Sequence, residues 1–316
     1  MTVLGSVLEA IGRTPLVALD RLGAGLPGRV LAKLEYYSPG ASMKDRIALR
    51  MVEDAERQGL LKPGGTIVEL TSGNTGTGLA VVCAVKGYQL IAVMSAGNSP
   101  ERRRMLEALG AQVELVPQAP GHAPGQVSGE DLELVDRRTA ELTAELGAFR
   151  ADQFGNPSNV AAHEVTTGRE IWEQTGGAVD VFVAMVGTGG TFVGVARALK
   201  CRKPAVRTYA VEPAGAPFLA GGPVVVGTHK LQGAGYALRP PLWEDALCDG
   251  YLAVTDEEAV ETARRLARRE AIFAGFSTGA NVAAALCLAR DAAPGTTIVT
   301  IACDSGMKYL STDLFA

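Results

Sequence analysis

The stretch Ile67-Val-Glu-Leu-Thr71-Ser-Gly-Asn-Thr-Gly-Thr-Gly78-Leu-Ala-Val-Val-Cys-Ala-Val85 decides the fold class. A short apolar run of strand type enters a glycine-rich turn, and the turn opens a segment of helical composition. The plan recurs once, and a third glycine-containing segment opens an apolar helix. Val179-Asp-Val-Phe-Val-Ala-Met-Val186 passes through Gly187-Thr-Gly-Gly-Thr191 into Phe192-Val-Gly-Val-Ala-Arg-Ala-Leu199, and Phe273-Ala-Gly-Phe-Ser277-Thr-Gly-Ala-Asn281 opens Val282-Ala-Ala-Ala-Leu-Cys-Leu-Ala289. Further strand-like runs lie at 29–34, 90–94, 112–116, 207–212 and 297–302, separated by longer amphipathic segments. That alternation predicts parallel sheets in an α/β fold.

Helix boundaries are legible at several points. Ser99-Pro100-Glu101 combines an N-cap, a first-turn proline and an acid near the dipole, and Gly110 closes that helix. Thr255-Asp-Glu-Glu258 is a capping box. Ser277 is expected to cap the helix that follows it. The loop 117–130 and the region 213–249 carry clustered proline and glycine and read as irregular.

With 316 residues the chain can bury one large or two modest cores. Hydrophobic residues make up 47% and charged residues 20%, and the mean hydropathy is +0.15, as for a soluble globular protein. A formal net charge of −4 offers no general attraction to nucleic acid or anionic membrane. The basic clusters at 101–104 and 264–269 read as solvated helix faces. Five scattered cysteines without metal-finger spacing fit a reducing cytoplasm, with Cys83 and Cys287 expected in the core. No secretory leader or membrane-length run is present. The histidines at 122, 163 and 229 do not cluster; structural or surface roles are expected, and no metal site.

Two segments carry chemistry. In Ser38-Pro-Gly-Ala-Ser-Met-Lys44-Asp-Arg46 the lysine stands where a loop becomes a helix. The positive end of a helix dipole favours a neutral amine, which is the form that attacks an aldehyde; the plain alternative is a solvated surface lysine. In Gly187-Thr-Gly-Gly-Thr191 the missing side chains let backbone N–H groups approach an anion at a helix N-terminus. A dinucleotide loop is the rival reading. Position 192 is Phe where that fingerprint needs Gly, although Glu212 lies about where a ribose-binding acid would. No nucleotide P-loop pattern is present.

Taken in order, Ser-x-Lys-Asp-Arg, Thr-Ser-Gly-Asn-Thr-Gly, Gly-Thr-Gly-Gly-Thr and Gly-Phe-Ser-Thr-Gly-Ala resemble the fold-type II pyridoxal phosphate (PLP) enzymes. The cysteine synthase (O-acetylserine sulfhydrylase) and cystathionine β-synthase group is most similar. The resemblance extends from Ile11-Gly-Arg-Thr-Pro-Leu16 through Gln153-Phe-Gly-Asn-Pro157 and His163-Glu-Val-Thr-Thr-Gly-Arg-Glu-Ile-Trp172 to Lys308-Tyr-Leu-Ser-Thr312. It implies two three-layer α/β domains, tryptophan synthase β-like, with the cofactor in the cleft between them. The smaller, mobile substrate-side domain would span 40–156, and the larger, phosphate-binding one 1–39 plus 157–316.

By the same resemblance Lys44 forms the Schiff base with PLP and acts as the catalytic base. Gly187, Thr188, Gly189, Gly190 and Thr191 hold the phosphate, Ser277 bonds the pyridine nitrogen, and Asn74 lies beside the phenolic oxygen. Thr71, Ser72, Gly73, Asn74, Thr75 and Gln153 bind the substrate carboxylate. A neutral hydroxyl at the ring nitrogen disfavours transamination and leaves β-elimination or β-replacement. The implied activity is that of a PLP-dependent transferase (EC 2.5.1 type). It replaces the β-substituent of O-acetyl-L-serine, or a similarly activated serine, through an aminoacrylate, with sulfide as the expected nucleophile giving L-cysteine. The implied partners are this amino acid and a small nucleophile, in a cytoplasmic homodimer.

Departures from the family pattern lie away from these residues: Ser95-Ala-Gly-Asn-Ser99, the long 117–130 loop, the segment after Gln232-Gly-Ala-Gly-Tyr236, and Ala302-Cys-Asp-Ser-Gly-Met-Lys308. They leave a specialised β-substituted-alanine synthase or a cystathionine β-synthase open as alternatives. A serine/threonine dehydratase fits the segments at 153–172 and 308–312 less well. A binding module without turnover is the non-enzyme alternative, against which Lys44, Asn74 and Ser277 together argue.

Overall fold

A computed structural model describes residues 3–71, 73–98, 100–120, 129–224, 229–231 and 233–316. Ser72, Ser99, His122, Gln232 and the centre of the 117–130 loop therefore lie outside the described residues. In chain order the elements begin with β1 (Leu16–Ala18), β2 (Arg29–Leu34), α1 (Lys44–Arg57), β3 (Thr66–Leu70), α2 (Asn74–Lys86) and β4 (Gln89–Ser95). Next come α3 (Pro100–Ala108), β5 (Gln112–Val116), α4 (Gly129–Leu146), β6 (Phe149–Arg150), α5 (Ser158–Ala162) and α6 (Arg169–Gln174). The chain ends with β7 (Val181–Met185), α7 (Gly190–Arg202), β8 (Arg207–Pro213), β9 (Gly250–Val254), α8 (Asp256–Glu270), α9 (Phe276–Arg290) and β10 (Thr297–Ala302). A π-helical turn, His163–Gly168, joins α5 to α6.

The chain divides into two units. The smaller comprises the residues up to Ile11 together with Ser38–Asn159. Its sheet, in the order β5-β4-β3-β6, is parallel throughout. Strands of this sheet are apolar runs because helices cover both faces: β4 is buried from Leu90 to Ser95. On one face Val68, Leu70, Ile91 and Val93 pack with Val135 and Leu142 of α4. Residues 1–39 were expected to belong wholly to the larger unit; the segment before Gly12 instead joins the smaller, where the 3₁₀ turn Val7–Ala10 packs against α2.

The larger unit comprises Gly12–Tyr37 and Val160–Ala316. Its sheet runs β1-β2-β10-β7-β8-β9, parallel except for the short edge strand β1. β2 and β10 pair in register from Arg29↔Thr297 to Leu34↔Ala302, so an N-terminal strand lies beside the last one. Helix α9 packs on this sheet and on α8 and is apolar nearly all round, as a helix buried between a sheet and a second helix must be. The capping box of α8 is formed: Glu258 N–H donates to Thr255 Oγ1 (3.1 Å) and Thr255 N–H donates to Glu258 Oε2 (2.9 Å).

In both units the loops of interest follow the C-terminal ends of parallel strands. Strand polarity therefore decides which loops carry chemistry, since open parallel sheets bind ligands at that edge.

Candidate active site

Lys44 is the first residue of α1, and its side chain is buried, with 8% of the residue exposed. It is not a solvated surface lysine. Its backbone N–H donates to Ser42 Oγ (3.2 Å), and the adjacent Asp45 accepts from Gly40 N–H (2.5 Å), which ties the preceding loop to the helix start. Helix α2 rests directly on this turn. A Cβ at Gly78 would lie 3.0 Å from the Lys44 carbonyl oxygen and 3.1 Å from Ala48 Cβ, so glycine permits a closer approach than a larger residue could make without a shift of its neighbours.

The loop after β3 belongs to the same unit. Thr71 Oγ1 accepts from Gly73 N–H (3.2 Å) and Gly76 N–H (2.8 Å), and Thr77 Oγ1 donates to Gly73 O (2.8 Å). Gly73, at φ 140° and ψ −65°, occupies a conformation closed to other residues. Asn74 and Thr75 open α2. Thr75 Oγ1 donates to Gln153 Oε1 (2.6 Å), and Gln153 Nε2 donates to Leu70 O (3.0 Å). Leu70, Thr75 and Gln153, distant in sequence, thus form one hydrogen-bonded arrangement.

In the larger unit β7 leads to Gly187, Thr188 and Gly189, and Gly190 and Thr191 begin α7. Gly189 takes the N-cap position at φ 86° without a side-chain cap, leaving a helix N-terminus lined by glycine backbone. Thr188 and Thr191 are buried. Thr191 Oγ1 contacts His163 Nε2 (3.0 Å), whose Nδ1 contacts Thr167 Oγ1 (2.9 Å), and His163 is 0% exposed. His163 therefore has a partner in the glycine-rich loop. Its partners lie at sequence separations of 28 and 4, and the chain shows no periodicity that would pair them.

Ser277 lies in the first turn of α9 rather than at its cap. Gly275, extended at φ −77° and ψ −178°, is the N-cap, and Phe276 is already helical. The next residue, Thr278, accepts from Cys303 N–H through its hydroxyl (3.0 Å). The half-buried Ser277 hydroxyl has no side-chain partner among the described residues.

Three other expectations change. Cys287 is exposed, because it falls on the outer side of α9, whereas Cys83 is buried and its thiol is pushed up to about 12 by that burial. Arg102, in the charged run that opens α3, is buried against Gly73, with Cδ 3.1 Å from where a Cβ would stand. Glu212 turns into its own chain and accepts from Leu219 N–H (2.7 Å) and Ala220 N–H (2.9 Å). Several buried acids were not singled out in the sequence, and one of them bonds the Gln153 backbone. Glu69, one residue before the end of β3, accepts from Asp152 N–H (2.8 Å) and Gln153 N–H (3.1 Å). Burial pushes its carboxyl up to about 7, against the lowering effect of those donors and of Arg150.

The smaller unit carries a buried lysine at a helix N-terminus, and its amine is of the kind that suits an aldehyde. The larger unit, taken by itself, carries a helix N-terminus lined by glycine backbone and buried threonines, a donor set that suits a phosphate. The family described as pyridoxal-phosphate dependent enzyme matches residues 7–304. A cysteine synthase of Staphylococcus aureus (strain N315) is 43% identical over 312 residues, covering 98% of this chain and 97% of the relative. The solved structure of an O-ureido-L-serine synthase superposes with a TM-score of 0.91 at 42% identity, over 99% of this chain and 96% of that one. An O-acetyl serine sulfhydrylase isoform 3 from Entamoeba histolytica gives a TM-score of 0.90 at 38% identity, over 99% and 92%. The chain belongs to the pyridoxal-phosphate dependent enzyme family, with the fold-type II architecture that its motifs implied.

Proposed function

We propose that this protein is a β-replacement enzyme that acts on O-acetyl-L-serine, or a similarly activated serine, with sulfide as nucleophile and L-cysteine and acetate as products. The observation that carries the reading is Ser277. A neutral hydroxyl stands in the first turn of α9, in a family whose cofactor needs a partner for its ring nitrogen. When bound, the cofactor supplies an electron sink for the carbanion formed at Cα.

The chain's own groups do the rest. Lys44 would hold the cofactor aldehyde until the substrate amine displaces it; the freed amine would then take the Cα proton and return it after the nucleophile has added at Cβ. Gly187, Thr188, Gly189, Gly190 and Thr191 would hold the phosphate, and Asn74 would meet the phenolic oxygen. Thr71, Ser72, Gly73, Asn74, Thr75 and Gln153 hold the substrate carboxylate, which orients Cα–H toward the base. Ser277 accepts no proton and carries no charge, so it leaves the ring nitrogen unprotonated and favours loss of the β-substituent. The similarity to a cysteine synthase at 43% identity supports sulfide as the nucleophile. We further read the protein as a cytoplasmic homodimer of the EC 2.5.1 type; its five free cysteines suit a reducing compartment.

A second reading is a synthase that adds another nucleophile to the same activated serine. The similarity to an O-ureido-L-serine synthase at 42% identity and the departure at 95–99 favour it. One experiment separates the two. O-acetyl-L-serine is added to the PLP-loaded protein, the change in visible absorbance is followed, and sulfide, hydroxyurea and cyanide are tested for its reversal. Reversal fastest with sulfide supports cysteine formation, and reversal fastest with another nucleophile supports the second reading. A visible band that responds neither to O-acetyl-L-serine nor to another activated serine such as O-phospho-L-serine refutes both.

A further inference from the structure

Behind the loop Thr71–Thr75 stands a carboxylate for which the proposed chemistry has no use. Glu69 is 1% exposed, on a strand otherwise made of apolar residues in its buried part. It does not reach the loop itself. Its two oxygens accept from successive backbone N–H groups, Asp152 at 2.8 Å and Gln153 at 3.1 Å. That turn is strained, with Asp152 held at φ 50°, a region that residues other than glycine enter only where their surroundings hold them. From it the Gln153 side chain reaches back, donating to Leu70 O (3.0 Å) and accepting from Thr75 Oγ1 (2.6 Å). Asn159 closes the arrangement from the other side by donating to Gln153 O (2.7 Å).

We propose that Glu69 is a positioning residue for the carboxylate-binding loop, holding the Asp152–Gln153 turn so that Gln153 aligns Thr75 and the end of β3. The inference rests on the reading of Thr71–Thr75 and Gln153 as the substrate-carboxylate site. Each step is a hydrogen bond within one unit, and no alternative anchor for the two backbone donors is needed.

The arrangement is sensitive to pH near neutrality. Burial lifts the Glu69 carboxyl to about 7. The charged groups facing it are Arg150 of β6, which favours the ionised form, and Asp152, which opposes it. Arg150 is itself paired with Asp136 of α4. Ionised, Glu69 offers an acceptor to each N–H. Protonated, one oxygen becomes a donor facing a donor, and one of the two bonds weakens. While Glu69 itself stays buried, the turn is therefore held more firmly above about pH 7 and loosens below it, whereas global unfolding, which exposes the carboxyl, responds to pH in the opposite direction.

The test compares the PLP-loaded wild type with Glu69→Gln. Amide hydrogen exchange of the segment 149–156, corrected for the intrinsic pH dependence of exchange, is measured at about pH 6 and 8.5. L-Methionine binding is titrated by visible absorbance across the same range. We expect protection of 149–156 in the wild type to fall severalfold at the lower pH, and to be low and flat in Glu69→Gln. L-Methionine should bind on the order of tenfold more weakly to Glu69→Gln at the higher pH, with PLP content unchanged. A Glu69→Gln protein that keeps wild-type protection of 149–156 at the higher pH overturns the inference, as does one that binds L-methionine like the wild type. The exchange measurement needs no substrate and decides the matter even where L-methionine fails to bind at all.

Discussion

Replacing His163 by alanine tests whether the glycine-rich loop is held from beneath. The ring is fully buried between Thr191 (3.0 Å) and Thr167 (2.9 Å). Its removal takes a partner from two hydroxyls, at about 1 kcal/mol each, and leaves a cavity whose cost in buried truncations starts at about 2 kcal/mol. The expected loss of stability is therefore about 4 kcal/mol. The second effect falls on the cofactor. A hydrogen bond to a charged group contributes about 1.5–3 kcal/mol. A Thr191 hydroxyl that has lost its orienting partner should forfeit part of that, about 1.4 kcal/mol, or roughly tenfold in the PLP dissociation constant. His163→Gln, which keeps one polar partner, should show about half of each loss. The assay is urea unfolding of the apoprotein together with PLP titration by absorbance. A double-mutant cycle with Thr191→Val should show that the two PLP effects are not additive. The reasoning is refuted if His163→Ala is destabilised as expected yet holds PLP with the wild-type constant.

Three further perturbations follow from the structure. Lys33 is fully buried and donates to Glu170 Oε2 (2.6 Å), Thr14 O (2.6 Å) and Gln174 Oε1 (2.9 Å). Glu170→Ala should cost about 3 kcal/mol in urea unfolding, and adding Lys33→Met should recover part of it; a Glu170→Ala protein as stable as the wild type would show the pair to be neutral. Gly78→Val would drive a side chain into the Lys44 carbonyl and Ala48; the expected outcome is a loss of about 1–3 kcal/mol together with a weakened visible PLP band, and a normal band would separate α2 from the placement of Lys44. Because burial raises the Glu69 carboxyl from 4.5 to about 7, the folded state holds that proton more tightly than the unfolded one. Its contribution to stability is whole below about pH 4.5 and is lost as pH rises to about 7, an effect on the order of 3 kcal/mol. Unfolding measured between about pH 5 and 8 should show a slope in the wild type that Glu69→Gln lacks, and equal slopes would contradict it.

The central strands Arg29–Leu34 and Thr297–Ala302 were readable because each is a buried apolar run, and the partly exposed edge strand Gln112–Val116 also lies where the hydrophobic pattern put it. Three strands were not. β1 has three residues and β6 two, too few for any period, and β9 is mostly half-exposed and begins with glycine and tyrosine. Ser277 was misplaced by one turn of logic. Serine is a better cap by propensity than glycine, but Gly275 is the residue with the extended backbone a cap requires. Arg102 and Cys287 exchanged their expected surroundings, since neither a charged run nor an apolar run says which side of its helix meets the core.

The sequence alone determined the kind of protein this is. Strand, glycine turn and helix are local events, dictated by composition and φ/ψ preference over about ten residues, and Lys44, Asn74, Thr188, Thr191 and Ser277 sit at such junctions. What holds those junctions in place was decided only in three dimensions. His163 supports Thr191 across 28 residues, and Glu69 reaches the Gln153 turn across 84. The reason is that a buried polar group must find a partner wherever the fold brings one, and parallel sheets bring together segments that the chain keeps far apart.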